Sequence, residues 1–306
     1  MKALRKITDK TDLVVAHNPG SFYPAMCYAK KHNIPYGIDL EDYHPGETND
    51  PAMKRVFKRL QEQTLPDAWY VSAASPLISE YANSDLSTPK EEILELLNYF
   101  EQEEFIAPSA KESTLVQMVW FSQNIAAGRG LEEIIPLVKK NQNVVLHLYG
   151  HMQTNFYRSH LEGIANIQVH AAIPQHVLHR ELSSYDVGLA LEKPDSNLNR
   201  DLCITNKILA SKQAGLSIMA SDTTAQQRFL QSNPGVGILT CMDEKNIGKA
   251  IQHITQNITA IRNQAPERFQ KARSFNWGSE SAELLKQWNK KYFEKDPDHI
   301  ASFSTF

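Results

Sequence analysis

The sequence has few cysteines and no long apolar run. Its three cysteines, Cys27, Cys203 and Cys241, lie far apart and outside any C-x-x-C spacing. This argues against a disulfide framework or a zinc site and favours a reducing compartment. The N-terminal segment has no apolar signal-peptide core, and no stretch is long enough to span a bilayer. We therefore predict a cytoplasmic protein with no integral membrane segment. A peripheral contact with a membrane stays compatible with the sequence.

An excess of positive charge is also missing. The chain carries 32 lysines and arginines against 35 aspartates and glutamates, a net charge of −3. Proteins that bind nucleic acid usually carry a basic stripe, so nucleic acid is not expected as a partner. The sequence has no G-x-G-x-x-G fingerprint, P-loop, G-x-S-x-G elbow or H-E-x-x-H pair. Dinucleotide binding, P-loop chemistry, serine hydrolysis and zinc proteolysis of these kinds therefore lose support.

The composition is that of a globular protein. Of the 306 residues, 42% are hydrophobic and 22% are charged, which fits about two domains. Apolar segments of strand length alternate with helical patterns, as parallel strands joined by crossover helices require. We predict an α/β protein with two Rossmann-like domains. The predicted strands span residues 12–17, 36–40, 68–72 and 93–97, and then 115–121, 144–149, 167–171, 186–191, 216–220 and 236–239.

One segment separates the two predicted sheets. The stretch 99–114 is acidic and polar and contains Pro108 and Ser109, which predicts a linker. We expect a first domain at 1–108 and a second at 109–275. The remainder, 276–306, is predicted to be a helix that returns to the first domain, followed by a loose tail.

The chain is organised around residues 205–222, TNKILASKQAGLSIMASD. Thr205 suits the N-cap of a short helix, and Gly215 suits its C′ position. A buried strand follows, and Asp222 marks the crevice edge beyond its carboxyl end. Asn206 and Lys207 are predicted to form an anion-binding site at the helix N-terminus, where the backbone N–H groups have no partner within the helix. The alternative is a solvated surface lysine after an ordinary cap.

Two loops after predicted strands of the second domain carry candidate residues. In SQNIAAGRG, Arg129 could contact phosphate oxygens, while Gly128 and Gly130 would let backbone N–H groups approach them. A simple surface turn explains the same triplet. The loop after Leu191 is either a binding loop or a solvated connection. Its polar residues are Glu192, Lys193, Asp195, Asn197, Asn199, Arg200 and Asp201.

Acidic residues crowd a loop of the first domain. Residues 39–47, DLEDYHPGE, could bind hydroxyl groups or a hard cation, or could form a polar pocket wall or a solvated loop. Spacing alone does not bring several oxygens together, so we predict no metal site. His176 and His179 are predicted to be exposed or to cap a helix.

The order of these pieces resembles the GT-B glycosyltransferases, specifically the retaining family 4 group, over about residues 12–293. The most specific part, 115–240, contains R-G in a loop, then N-K, then A-G-L-x-I-x-A-S-D. The resemblance implies two domains facing each other across a nucleotide-sugar cleft. It places Thr205 and Ser217 where proline is usual, and Glu41 where many members carry a histidine.

The chain departs from this family at several positions. Its paired glutamates would fall at Leu202 and Ala210, and Gln123 stands where a second phosphate-binding arginine is frequent. Asp201 and Glu192 are candidates to replace a lost carboxylate. The first domain also begins on a late strand, so a shortened amino-terminal half is expected, either natural or from a misplaced start.

The resemblance implies transfer of a sugar, with retention, from a nucleoside diphosphate sugar to a glycan, a lipid-linked or another acceptor. No cofactor beyond the donor is expected, and a partner chain or homo-oligomer is left open. Two alternatives remain: a degenerate or truncated, non-catalytic binding or partner subunit, and an unrelated sugar-binding or epimerase-type protein. The expected catalytic residues are Arg129, Lys207 and Glu41, and the expected donor-binding residues are Gly128, Gly130, Glu192, Thr205, Asn206 and Asp222.

Overall fold

The first sheet has four parallel strands in sequence order. The computed structural model describes residues 11–109, 111, 113–193 and 196–293. Helices cross from each strand to the next, as parallel pairing requires. The strands are β1 (Val14–Ala16), β2 (Tyr36–Leu40), β3 (Tyr70–Ala73) and β4 (Leu94–Glu95), and the helices are α1 (Pro19–His32), α2 (Pro51–Thr64) and α3 (Pro76–Ser84).

The second sheet has six parallel strands in the order β10-β9-β8-β5-β6-β7. Strand order reverses between β5 and β8, which creates a switch point where a crevice opens beyond the strand ends. The strands are β5 (Val116–Ile125), β6 (Val144–Met152), β7 (Ile167–His170), β8 (Val187–Ala190), β9 (Ser217–Ser221) and β10 (Gly237–Thr240).

Helices cover both faces of the second sheet. The helices that follow β5 are α4 (Leu131–Lys140), α5 (Thr154–Phe156), α6 (Gln175–Glu181), α7 (Leu198–Leu202), α8 (Asn206–Gln213), α9 (Thr224–Ser232), α10 (Glu244–Gln256), α11 (Ile258–Ala272) and α12 (Trp277–Phe293), of which α12 packs on the first sheet. Single turns of 3₁₀-helix lie at His44–Gly46, Gln102–Glu104 and Leu182–Ser184, and a π-helical turn lies at Tyr157–Leu161. No helix among the described residues is long and apolar enough to cross a membrane.

The core of the second domain forms between α4 and the central strands. The i, i+3, i+4, i+7 apolar pattern of α4 places Leu131, Ile134, Ile135 and Val138 on its buried face. These side chains join apolar residues of β5, β6 and β8 in one cluster. Each fully buried aliphatic side chain contributes roughly 1.5–3 kcal/mol. This packing fixes the edge of the sheet from which the functional loops project.

The predicted α/β architecture with two parallel sheets is confirmed, although several strand ends differ. β5 continues to Ile125 and β6 to Met152, because their pairing resumes after an irregularity between Phe121 and Asn124. β4 is shorter than predicted, since the chain turns where the Tyr99 N–H donates to the Leu97 carbonyl.

The last helix returns to the first sheet. Leu284 and Trp288 of α12 pack against Tyr70, Leu94 and Leu96. The side-chain amide of Gln287 donates to Glu92 at 2.9 Å. The predicted tail after residue 293, the segment 1–10 and two residues of the predicted linker lie outside the described residues.

Candidate functional site

A large cleft lies between the two domains. Its volume is about 1050 Å³. Residues beyond the carboxyl ends of strands from both sheets line it, as expected for ligand sites of open parallel sheets. The first domain contributes Glu41, Asp42 and Glu47, and the second contributes residues that follow β5, β6, β7 and β8 together with the start of α8.

Three cations converge on one buried carboxylate in this cleft. Glu192 is only 1% exposed. It accepts from Arg129 Nη1 at 3.1 Å, from Arg200 Nη1 at 3.3 Å and from Lys207 Nζ at 2.9 Å. Ser221 Oγ lies 2.9 Å from the Glu192 N–H and fixes the position of its backbone. Since one carboxylate balances three cations, the cluster keeps an excess of positive charge facing the cleft.

Lys207 is not the solvated surface lysine of the alternative interpretation. It is 6% exposed, and Nζ lies 5.7 Å from the centroid of the Trp120 ring. Burial lowers the pKa of Lys207, while the neighbouring Glu192 carboxylate acts in the opposite direction. The lysine is buried because α8 packs directly on the second sheet. Its position in the cleft supports the interpretation that Asn206 and Lys207 form an anion-binding site.

The predicted N-cap position of Thr205 is confirmed, but its side chain does not cap the helix. Thr205 is the N-cap of α8 and its carbonyl accepts from Ile208, but its hydroxyl makes no capping bond. The hydroxyl oxygen is shielded from solvent and has no partner among the described residues. The backbone N–H groups of Asn206 and Lys207 also have no hydrogen-bond acceptor among the residues that the structure describes. They remain available to an anion, because the first turn of a helix leaves its donors free.

The glycines of the GRG loop shape the backbone and do not line the cleft. Gly128 and Gly130 have positive φ angles of 85° and 78°. A Cβ on Gly130 would lie 2.8 Å from Leu191 Cβ, so this turn excludes other residues. The Gly128 N–H donates to Glu132, and its carbonyl accepts from Arg200. Our expectation that the Gly128 N–H faces a ligand is therefore wrong, because Glu132 occupies it. The loop still directs Arg129 into the cleft.

The acidic loop of the first domain reaches the cleft and joins the two domains. Asp42 accepts from the side-chain amide of Asn199 at 2.6 Å, and Asn199 Oδ1 accepts from the Tyr43 N–H at 2.7 Å. Glu41 is exposed, lines the cleft, and lies close to His17 and Asp39. His17 Nδ1 lies 3.1 Å from Asp39 Oδ2 and 3.7 Å from Glu41 Oε1.

An aromatic wall forms another part of the cleft. Phe100, Phe121, Tyr149 and His179 line it. The prediction that His179 is exposed or capping is wrong, because the residue is 2% exposed and stacks on Phe105 at 4.6 Å. Burial lowers the pKa of His179, partly offset by the hydrogen bond to Glu104. One residue of this wall, Phe100, lies in the predicted linker, and it was not among the predicted site residues.

Asp222 does not line the cleft. The carboxylate lies beside Cys241, where it raises the pKa of the thiol. The end of β9 still reaches the group around Glu192, because Ser221 accepts from the Glu192 N–H, but Asp222 itself makes no contact with that group.

The two candidates for replacing a lost carboxylate, Asp201 and Glu192, lie in different places. Asp201 binds the N–H and hydroxyl of Thr224 at the start of α9, so that role for Asp201 is wrong. Glu192 lies within the cleft. Leu202 and Ala210 are buried and apolar, at 1% and 0% exposure. Asp195, another residue of the same loop, lies outside the described residues.

Comparison with known proteins identifies the fold. No protein-family model matches the sequence, and no curated protein matches it either. Anabaena HepE, solved in complex with UDP, is 12% identical, with a TM-score of 0.75 over 94% of this chain and 81% of HepE. Sucrose-phosphate synthase from Thermosynechococcus elongatus is 13% identical, with a TM-score of 0.72 over 92% of this chain and 74% of the synthase.

A third solved structure agrees. A glycosyltransferase from Rickettsia africae is 11% identical, with a TM-score of 0.70 over 92% of this chain and 76% of the other. At these identities the likeness shows the fold. The predicted GT-B fold, two facing α/β domains with parallel sheets, is therefore confirmed.

Proposed function

We propose that this chain transfers a sugar from a nucleoside diphosphate sugar to an acceptor, with retention at the anomeric carbon and without a metal ion. The observation that carries the proposal is the group of Arg129, Arg200 and Lys207 around Glu192 at the strand ends of a GT-B cleft. HepE, which shares this fold, has been solved with UDP and with UDP-glucose.

The cation group suits a diphosphate leaving group. Arg129 is 39% exposed on its side chain and Lys207 lies behind it, so an anion in the cleft would meet the guanidinium first. The free N–H groups at the start of α8 point to the same region and add donors without added charge. When the bond to the sugar breaks, negative charge grows on the diphosphate. Preorganised cations and dipoles stabilise that charge more than they stabilise the bound donor.

The two ends of the cleft differ in chemistry. We place the nucleoside against Phe121 and Tyr149 of the aromatic wall and against Ile173, because aromatic and apolar side chains favour a planar base. We place the sugar and acceptor beside Glu41 and Asp42, whose carboxylates accept hydrogen bonds from hydroxyl groups. Glu41 would orient the reacting hydroxyl. The acceptor would be a glycan or a lipid-linked molecule, with the protein in the cytoplasm.

Thermal unfolding with nucleotides tests this function. UDP or GDP should raise the melting temperature of the protein, because a ligand that binds the native state stabilises it. Arg129→Ala and Lys207→Ala should abolish this shift. Lys140→Ala, which removes an exposed lysine paired with Glu244, should retain it. Hydrolysis of UDP- or GDP-sugars should persist in EDTA. An absence of any nucleotide shift would exclude the proposal.

One observation favours a second function, that of a non-catalytic nucleotide-sugar-binding subunit. Leu202 and Ala210 are buried in the core, so neither supplies the carboxylate that the family pattern has at those positions. In this case UDP would stabilise the protein through the same cations, but no donor sugar would be released. Nucleotide binding with no turnover of any donor in the panel would select this function.

A further inference from the structure

A second cavity lies where the two domains meet the end of α11 and the start of α12. Its volume is about 370 Å³, within the range of small-molecule sites of roughly 300–1,000 Å³. Pro76 and Leu77 of α3 form one wall, and Ala225 and Phe229 of α9 form another. Ile204 lines both this cavity and the large cleft, so its side chain stands between them.

A buried lysine faces this second cavity. Lys212 lies near the carboxyl end of α8, the helix whose first turn carries Lys207, and it is 5% exposed. Its ammonium lies 3.2 Å from the centroid of the Phe275 ring and 5.4 Å from that of Phe229. Nζ donates to the Tyr99 hydroxyl at 2.9 Å. The three rings hold the ammonium at the cavity wall by cation–π attraction.

The charge of Lys212 is only partly balanced, by the carboxylate of Glu280 at a distance longer than an ion pair. No carboxylate of the described residues forms an ion pair with it. Glu280 lines the same cavity, but its carboxylate accepts from the Leu97 N–H at 3.2 Å. Arg228 is paired with Glu80 at the surface. Burial lowers the pKa of Lys212 to about 8, with the attraction of Glu280 acting against it. An ammonium has three donors, and a buried charge without an opposite charge in direct contact is costly.

We propose that this cavity binds a small carboxylate that has an apolar body. The carboxylate would pair with the ammonium of Lys212, and the apolar part would pack against Leu77, Ile204 and Phe229. A monoanion fits better than a phosphate, because one free cation is present among the described residues of this cavity, the walls are mostly apolar and Glu280 disfavours a second negative charge. The site does not depend on the function proposed for the large cleft.

Calorimetric titration of the full chain with benzoate tests this site. Benzoate should bind with saturation near neutral pH, and benzamide, which has the same shape without the charge, should bind at least about tenfold more weakly. Lys212→Met keeps the length of the side chain and removes the ammonium, so it should weaken benzoate binding by a similar factor. Arg129→Ala, in the large cleft, should bind benzoate as the wild type does.

A further variant covers the case in which Lys212→Met does not fold. Ser232 is exposed at the edge of the cavity, so Ser232→Trp should narrow the entrance without disturbing the core. It should weaken benzoate binding while leaving the melting temperature near that of the wild type. Three results would overturn the proposal: no saturable benzoate binding, equal affinity for benzamide, or full benzoate affinity in a folded Lys212→Met or Ser232→Trp variant.

Discussion

At the scale of single residues, Glu192 has two opposing effects. Its carboxylate holds Arg129, Arg200 and Lys207 together in the absence of a ligand, and it repels any anion that approaches them. A buried charge that loses its partner costs about 3–5 kcal/mol. The carboxylate therefore stabilises the fold and weakens anion binding at the same place.

Glu192→Gln should separate these effects. We expect a melting temperature several degrees lower, because Lys207 loses its partner, and an affinity for inorganic pyrophosphate about tenfold higher, because the repulsion is removed. Thermal unfolding over a pyrophosphate series measures both. Glu244→Gln, an exposed change at the surface pair with Lys140, should alter neither. Weaker pyrophosphate binding in Glu192→Gln would show that the carboxylate mainly orients the cations.

A histidine pair makes stability depend on pH. His147 Nδ1 lies 3.0 Å from His170 Nε2, and its other nitrogen lies 2.9 Å from the side-chain oxygen of Gln117. Burial, with a smaller effect of His170, lowers the pKa of His147 to about 4. In the unfolded chain histidine titrates near about 6.5. The unfolded state therefore binds more protons between these values, and the free energy of unfolding falls as pH drops through that window.

The loss should reach roughly 2–3 kcal/mol for this residue between neutral pH and about pH 4. Burial also lowers the pKa of His170 and His179, which acts in the same direction. Urea denaturation at several pH values measures the dependence. In His147→Gln the free energy of unfolding should vary less steeply with pH than in the wild type. Parallel curves for the two proteins would contradict this assignment.

At the scale of elements, the end of α8 depends on one glycine. Gly215 has a φ of 72°, and a Cβ there would lie 2.8 Å from Phe269 Cβ and 2.9 Å from the Ala265 carbonyl. Gly215→Ala adds this clash to the cost of a left-handed residue, and we expect it to lower the free energy of unfolding by about 2–3 kcal/mol.

Gly163 provides a matched control for this prediction. It has a nearly equal φ of 75°, but a Cβ there would meet no atom within 4 Å among the described residues. Gly163→Ala should cost only about 1 kcal/mol, the backbone part alone. Chemical denaturation of both variants gives the difference. Equal losses would mean that Phe269 and α11 move away from α8 at little cost.

Helix α8 and the strand after it show which features can be predicted from the sequence and which cannot. The apolar strand before Asp222 and the glycine after α8 are local patterns, so the strand and the helix end follow directly from them. Burial of Lys207 was not predictable in this way, since it depends on Trp120 and on Glu192, which lies 15 positions away. Thr205 illustrates the limit: the residue type is right for a cap, yet its hydroxyl makes no bond to the first turn.

At the scale of the whole molecule, the cleft is formed by residues that lie far apart in the sequence. Sequence order predicted that the loops after the strands would converge, because parallel strands end at one edge of a sheet. It named Arg129, Lys207 and Glu192 as site residues, but it did not predict that Arg200 would join them on Glu192. Asp42 and Asn199 are 157 positions apart and form one of the hydrogen bonds between the two domains. The aromatic wall likewise combines Phe100 of the predicted linker with Tyr149 of β6.

The return of α12 to the first sheet links the end of the described chain to its beginning. The Trp288 ring lies 5.7 Å from that of Tyr70 on β3, whereas Leu285, on the same helix, is 51% exposed. Trp288→Ala should lower the free energy of unfolding by about 3 kcal/mol, the usual cost of removing a packed aromatic side chain. Leu285→Ala should cost less than about 0.5 kcal/mol, since little of its surface is buried.

Hydrogen exchange locates the effect of Trp288→Ala. Amide protection should fall in β3, β4 and α12 together, because these elements share one contact surface, while β5 and β6 should keep their protection. A loss confined to α12 would mean that the helix covers the first sheet without stabilising it. A loss spread evenly over both sheets would mean instead that the two domains unfold as one unit, with α12 and the Asp42–Asn199 contact holding them together.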